Sequence, residues 1–148
     1  MVLNPRPLPF LTTNNLTFRL TKVISPTHFF VHADDELSSQ LTSLSARLNS
    51  LYRNSTPFDH ARPSVGSFWV IKERAGEKWS RVRVTELDVD TKTVGVLSVD
   101  YGDTDTVLIS ELRPLFKEIA DTPCLAIRCR LGGIYPSERK VIDNLLLV

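Results

Sequence analysis

"VLSVDYGDTDTV", Val96 to Val107, decides how the chain is read. Apolar and β-branched residues lead into Asp100-Tyr101-Gly102, aspartates and threonines follow, and a second apolar stretch closes the segment. That order predicts a strand, a tight turn and a strand. A tyrosine beside the turn glycine, ringed by acids, has two readings. It is a turn residue packed on the rim of a barrel, or it is one wall of a pocket.

Working outward, short strands with turn signals surround this segment. "VGSFWVIK", "WSRVRVTEL", "TVGVLSV" and "TVLI" are separated by "ERAGEK", "DVDTK" and "YGDTD". Such spacing predicts a small antiparallel barrel. "SELRPL" is expected to close it with one turn of helix. Upstream, "LTFRLTKVI" alternates apolar and polar residues, and Ser25-Pro26-Thr27 joins it to "HFFVHA" as a hairpin. Leu37, Leu41, Leu44, Leu48 and Leu51 then recur in steps of four and three, along one face of a helix capped by Asp34 and Asp35. This spacing suits packing on the helix's own domain, against the hairpin and the barrel flank; a coiled-coil dimer seam is the alternative. "CLAIRCRL", Cys124 to Leu131, predicts a further strand, and Ser137 and Glu138 open a C-terminal helix.

Composition narrows the function classes. The 148 residues are 42% hydrophobic and 24% charged, within the globular range. Net charge is +1, which gives no general attraction to nucleic acid or an anionic membrane. No apolar run is long enough to span a bilayer, and prolines break "MVLNPRPLPFLTT" as a signal core. Cys124 and Cys129 suit neither a metal quartet nor a disulfide scaffold, so a reducing compartment, cytoplasm or nucleus, is expected. His28, His32 and His60 lack partners at ligand spacing and read as structural. No catalytic Ser-His-Asp order, phosphate loop or metal motif stands out, so neither an enzyme nor a cofactor is expected.

Several segments together resemble an extended Tudor domain of the PIWI-pathway Tudor proteins. They are "VISPTHFFVH" with the leucine helix, "VGSFWVIKERAGEKWSRVRV", "VDYGDTDTVLISELRPL" and "TPCLAIRCRLGGIYP", in the family's order from about Leu16 onward. The resemblance implies a mostly β chain with two helices: a Tudor barrel at 65–116, joined by the long helix to a staphylococcal-nuclease-like, OB-type subdomain from 16–53 and 124–148. Residues 1–15 would form an extended arm. The family pattern continues with strands beyond the last helix, so a chain stopping at Val148 is expected to leave that subdomain with an open edge. The nuclease-like half of this family generally lacks the acids and arginines of hydrolysis, and nothing in Leu16 to Asp35 restores them.

The resemblance also implies a binding module for arginine peptides carrying symmetric dimethylarginine, held by cation–π contacts in an aromatic box. At the matching positions stand Glu73, Ser80, Ser98, Tyr101 and Asp103, so one aromatic wall of four survives. Serine walls offer methyl groups little. Carboxylates at the mouth favour a guanidinium that keeps all five donors. The expected partner is a protein or peptide containing arginine, such as the N-terminal tail of a PIWI protein in piRNA-pathway gene silencing. Little or no dependence on methylation is expected, and residence in cytoplasmic, perinuclear or germ granules. A scaffold or self-associating domain with an inactive pocket is the alternative, and single-stranded RNA contact through the OB-like half is a weaker one. Trp79, Arg81 and Asp100 read as scaffold, with Arg81 and Asp100 pairing across neighbouring strands and modestly stabilising a hairpin. Phe68 and Trp69 alternate, so one is expected to face outward.

Overall fold

The computed structural model describes residues 17–33, 36–58, 60–74 and 77–132, with the side chains of 36–38 left aside. The arm at 1–15, the capping Asp34 and Asp35 and the C-terminal helix from Ser137 lie outside the described residues. The described residues form two antiparallel sheets. β1 (Phe18–Ser25) and β2 (His28–Ala33) make a hairpin, which β8 (Ile127–Arg130) extends in the order β1-β2-β8. Helix α1 (Glu36–Tyr52) leads to β3 (Phe68–Lys72), β4 (Trp79–Asp88), β5 (Thr93–Ser98), β6 (Thr104–Leu108) and the short β7 (Arg113–Pro114), ordered β6-β5-β4-β3-β7. A one-turn helix α2 (Lys117–Ala120) follows β7. The closing turn expected over "SELRPL" is a 3-10 turn at Ile109–Glu111, after which Arg113 and Pro114 pair with β3.

Two apolar layers explain the strand patterns. Ile71, Val82, Val84, Val94, Val96 and Val107 fill the barrel interior, while Val70 and Trp79 turn to the other face and meet α1. Successive side chains on a strand point to opposite faces. β3 has an apolar layer on each side, so both of its aromatics find cover. Phe68 packs on the helix layer, Trp69 on the barrel interior, and both are half-buried. The expectation that one of them faces outward therefore fails.

Leu44 and Leu48 anchor α1 against Val70, Trp79, Leu115, Ile119, Ala120 and Leu125. Among the described residues no hairpin residue belongs to this layer, contrary to the expected packing on the hairpin. The leucine stripe also ends differently. Tyr52 is buried while Leu51 is 43% exposed. A straight helix drifts by about 20° per heptad against a 3.5-residue repeat, so the buried face passes from Leu48 to Tyr52. Tyr52 then donates its hydroxyl to the Pro114 carbonyl at 2.7 Å and accepts Phe116 N–H at 3.2 Å. Burial pushes its phenol up to about 12.

Leu44 is buried within one chain, so no second copy is required to cover it. Leu44→Ala is expected to cost about 2–3 kcal/mol, the low end for a buried leucine. The site borders a small crevice between helix and barrel into which neighbours can relax. An unfolding free energy from urea titration within about 0.5 kcal/mol of wild type would contradict this packing.

Candidate functional site

The Asp-Tyr-Gly turn joins the two sheets. Gly102 sits at φ +89°, where a side chain is strained, and its N–H donates to the Ser98 carbonyl at 2.9 Å. Ser98 N–H in turn donates to the Asp103 carbonyl at 2.7 Å, closing the loop. The hairpin holds the turn residue by residue. His32 Nε2–H donates to the Asp100 carbonyl at 2.6 Å, and its ring meets Tyr101 edge-on with centroids 5.8 Å apart. Thr21 donates its hydroxyl to the Tyr101 carbonyl at 3.0 Å. Phe30 lies against Gly102, and Lys22 pairs with Asp103 at 2.8 Å.

Asp100 and Arg81 differ from their expected role. Asp100 lies in the turn, outside any strand, and the two side chains form a buried fork-to-fork pair at 2.9 and 2.6 Å. Arg81 also donates to the carbonyls of Ile119, Thr122 and Pro123, while Asp100 accepts Leu125 N–H. This hub fastens the barrel to the segment entering β8. It also explains why the expected strand from Cys124 starts only at Ile127. Leu125 N–H is spent on Asp100, and Ala126 N–H on the Val99 carbonyl at 3.0 Å.

Glu73, Ser80, Ser98, Tyr101 and Asp103 line one open cleft of about 440 Å³ between the β3–β4 and β5–β6 turns. Its floor is Ile71, Val82 and Val96 from the barrel interior. Tyr101, 38% exposed, is the one aromatic residue among the described lining residues. Burial pushes its phenol above the ordinary tyrosine value, and the nearby Asp100 and Glu73 carboxylates add to this. At neutral pH the ring is therefore an uncharged phenol.

Two of the five residues are already engaged with each other, because Ser80 donates its hydroxyl to Glu73 Oε1. A carboxylate offers about four lone-pair positions, so Glu73 keeps capacity for a ligand. Asp103 is held by Lys22. Ser98 is 8% exposed, and among the described residues its hydroxyl has no hydrogen-bond partner.

Sequence reasoning missed four residues here. Arg74 and Lys78 on one rim and Asp105 on the other line the cleft, and Lys22 reaches it from β1. Asp105 and the two basic residues flank turns already singled out, so their placement was available from the hairpin pattern. Lys22 lies far away in sequence and only tertiary pairing brings it in. No group of three His, Cys, Asp or Glu among the described residues could hold a metal ion.

The Tudor domain family matches residues 11–133. Mouse Tudor domain-containing protein 1 is 28% identical over 133 residues, covering 89% of this chain and 11% of its own length. The chain spans about a tenth of the length of the Tudor domain-containing protein 1 relatives it matches. Among solved structures, extended Tudor domain TD3 of mouse TDRD1, in complex with a MILI peptide containing dimethylarginine, is similar with a TM-score of 0.81. It shares 21% identity, over 95% of this chain and 71% of that one. The extended Tudor domain of BmPAPI in complex with sDMA has a TM-score of 0.70 at 26% identity, over 80% and 65%. The barrel, its appended hairpin sheet and the family match together show that this chain belongs to the Tudor domain family, with the extended Tudor fold.

Proposed function

We propose that the cleft is a non-catalytic docking site for an arginine side chain of a partner protein, with little or no dependence on symmetric dimethylation. The observation that carries this reading is the cleft's lining, which combines one aromatic wall, two serines and acidic residues on its rims. Similar domains have been solved with dimethylarginine ligands, which supports arginine as the ligand class. What differs here is the wall chemistry. A guanidinium over Tyr101 gains about 0.5–1 kcal/mol at an exposed site. Charge-assisted hydrogen bonds to Glu73 add to that and use N–H donors that methylation removes. Ser98 Oγ would accept a further N–H. The partner that suits this chemistry is an arginine-rich protein tail such as that of a PIWI protein in the piRNA pathway, met in cytoplasmic granules.

A second reading is a scaffold whose pocket is closed to arginine. The salt bridge from Lys22 to Asp103 and the engagement of Glu73 by Ser80 favour it, since both acids already have partners.

Restoring aromatic walls tests the assignment of Ser80 and Ser98 to the pocket. The double variant Ser80→Tyr, Ser98→Tyr is expected to bind a symmetrically dimethylated arginine peptide about fivefold to thirtyfold better than its unmethylated twin. Two aromatic faces at about 0.5–1 kcal/mol each supply that range. A variant that folds with unchanged stability and still ignores methylation would contradict the assignment of these positions to the pocket.

A further inference from the structure

The β3–β4 rim of the cleft sets two basic side chains, Arg74 and Lys78, beside Glu73, and this points to the residue next to the bound arginine. The inference rests on the arginine-docking reading. Asp103 and Asp105 stand on the β5–β6 rim, while Arg74 and Lys78 stand on the β3–β4 rim. Arg74 Nη2 donates to the Thr106 carbonyl at 2.9 Å, so its guanidinium bridges from the β3–β4 rim to β6. That acceptor is neutral, and most of the five guanidinium donors remain. Among the described residues neither Arg74 nor Lys78 forms an ion pair. The cleft also holds the buried Ser98 hydroxyl, which among the described residues has no partner and so can receive a polar group.

We infer that the preferred peptide carries an aspartate or glutamate within one or two residues of its arginine. The arginine enters between Glu73 and Ser98. The neighbouring carboxylate lands on Arg74 and Lys78. An arginine flanked by glycines meets Arg74 as a competitor, because both guanidiniums seek acceptors at the same mouth. A ligand with its own carboxylate pairs with Arg74 and draws it off Thr106. Arginine and acid are then both satisfied.

The test uses capped, fluorescein-labelled peptides of equal length, with arginine flanked by glycine only or by one aspartate, titrated by anisotropy. Wild type is expected to bind the aspartate peptide about threefold to tenfold tighter, as two exposed charge pairs allow. The preference should shrink on raising salt from 50 mM to about 500 mM. It should vanish in Arg74→Gln, Lys78→Gln, whose exposed positions leave the urea midpoint near wild type. Equal affinities in wild type would overturn the inference while arginine docking stands. A preference kept in the double variant would also overturn it, placing the charge pairing elsewhere. If neither peptide binds wild type or the variant, arginine docking itself fails, and the inference with it.

Discussion

Arg81→Ala is expected to lower stability by about 3–5 kcal/mol, because it strands a buried carboxylate. Arg81 is 0% exposed. Its five N–H donors reach Asp100 twice and the carbonyls of Ile119, Thr122 and Pro123. Alanine removes all five bonds, leaving Asp100 with Leu125 N–H as its one remaining donor among the described residues. Arg81→Lys keeps the charge but loses the planar fork, so an intermediate loss is expected. Replacing both partners by apolar residues of similar volume should cost less than Arg81→Ala, because no charge is then left unpaired. Urea unfolding of the three variants measures this. A loss below about 1 kcal/mol for Arg81→Ala would show that the hub is solvated and that the two sheets are joined by other means.

Gly102→Ala is expected to cost about 2–5 kcal/mol and to displace the cleft wall at the same time. At φ +89° an L side chain is strained by about 1–2 kcal/mol. A Cβ there would lie 2.5 Å from the Phe30 ring, and relieving such overpacking typically costs about 1–3 kcal/mol. Phe30 belongs to the hairpin, so either the ring or the turn must move. Movement of the turn carries Tyr101 and Asp103 with it. Under the proposed arginine docking, loss of peptide binding beyond the loss of folded protein is therefore expected, read by thermal unfolding and titration on the same sample. A stable Gly102→Ala that binds normally would mean that the hairpin does not position the turn.

These two residues show how much of the molecule the sequence carried. The strands were legible because alternation is a local signal, and "VDYGD" marked a turn by its glycine alone. Leu44 and Leu48 were legible as a buried face, but Tyr52 displaced Leu51 because helical drift is invisible to a rule counting steps of three and four. The expected pairing of Arg81 with Asp100 has the right partners, yet its depth was hidden. The carbonyls that complete it come from Ile119, Thr122 and Pro123, far along the chain. The five residues read as a degenerate box do share one cleft. Their charge balance could not be read locally, because Lys22 meets Asp103 only once β1 folds beside the turn. Tyr101 serves both as a turn residue and as a wall of the cleft. Its backbone and ring edge are held by Thr21 and His32, and the tyrosine also lines the cleft.

The most direct measurement titrates the wild-type chain with two copies of one arginine peptide, unmethylated and symmetrically dimethylated, under identical salt and pH. With one aromatic face in place of four, we expect the unmethylated peptide to bind at least as tightly as its methylated twin. A preference of tenfold or more for the dimethylated peptide, about 1.4 kcal/mol, would contradict the pocket chemistry described for Tyr101, Ser80 and Ser98.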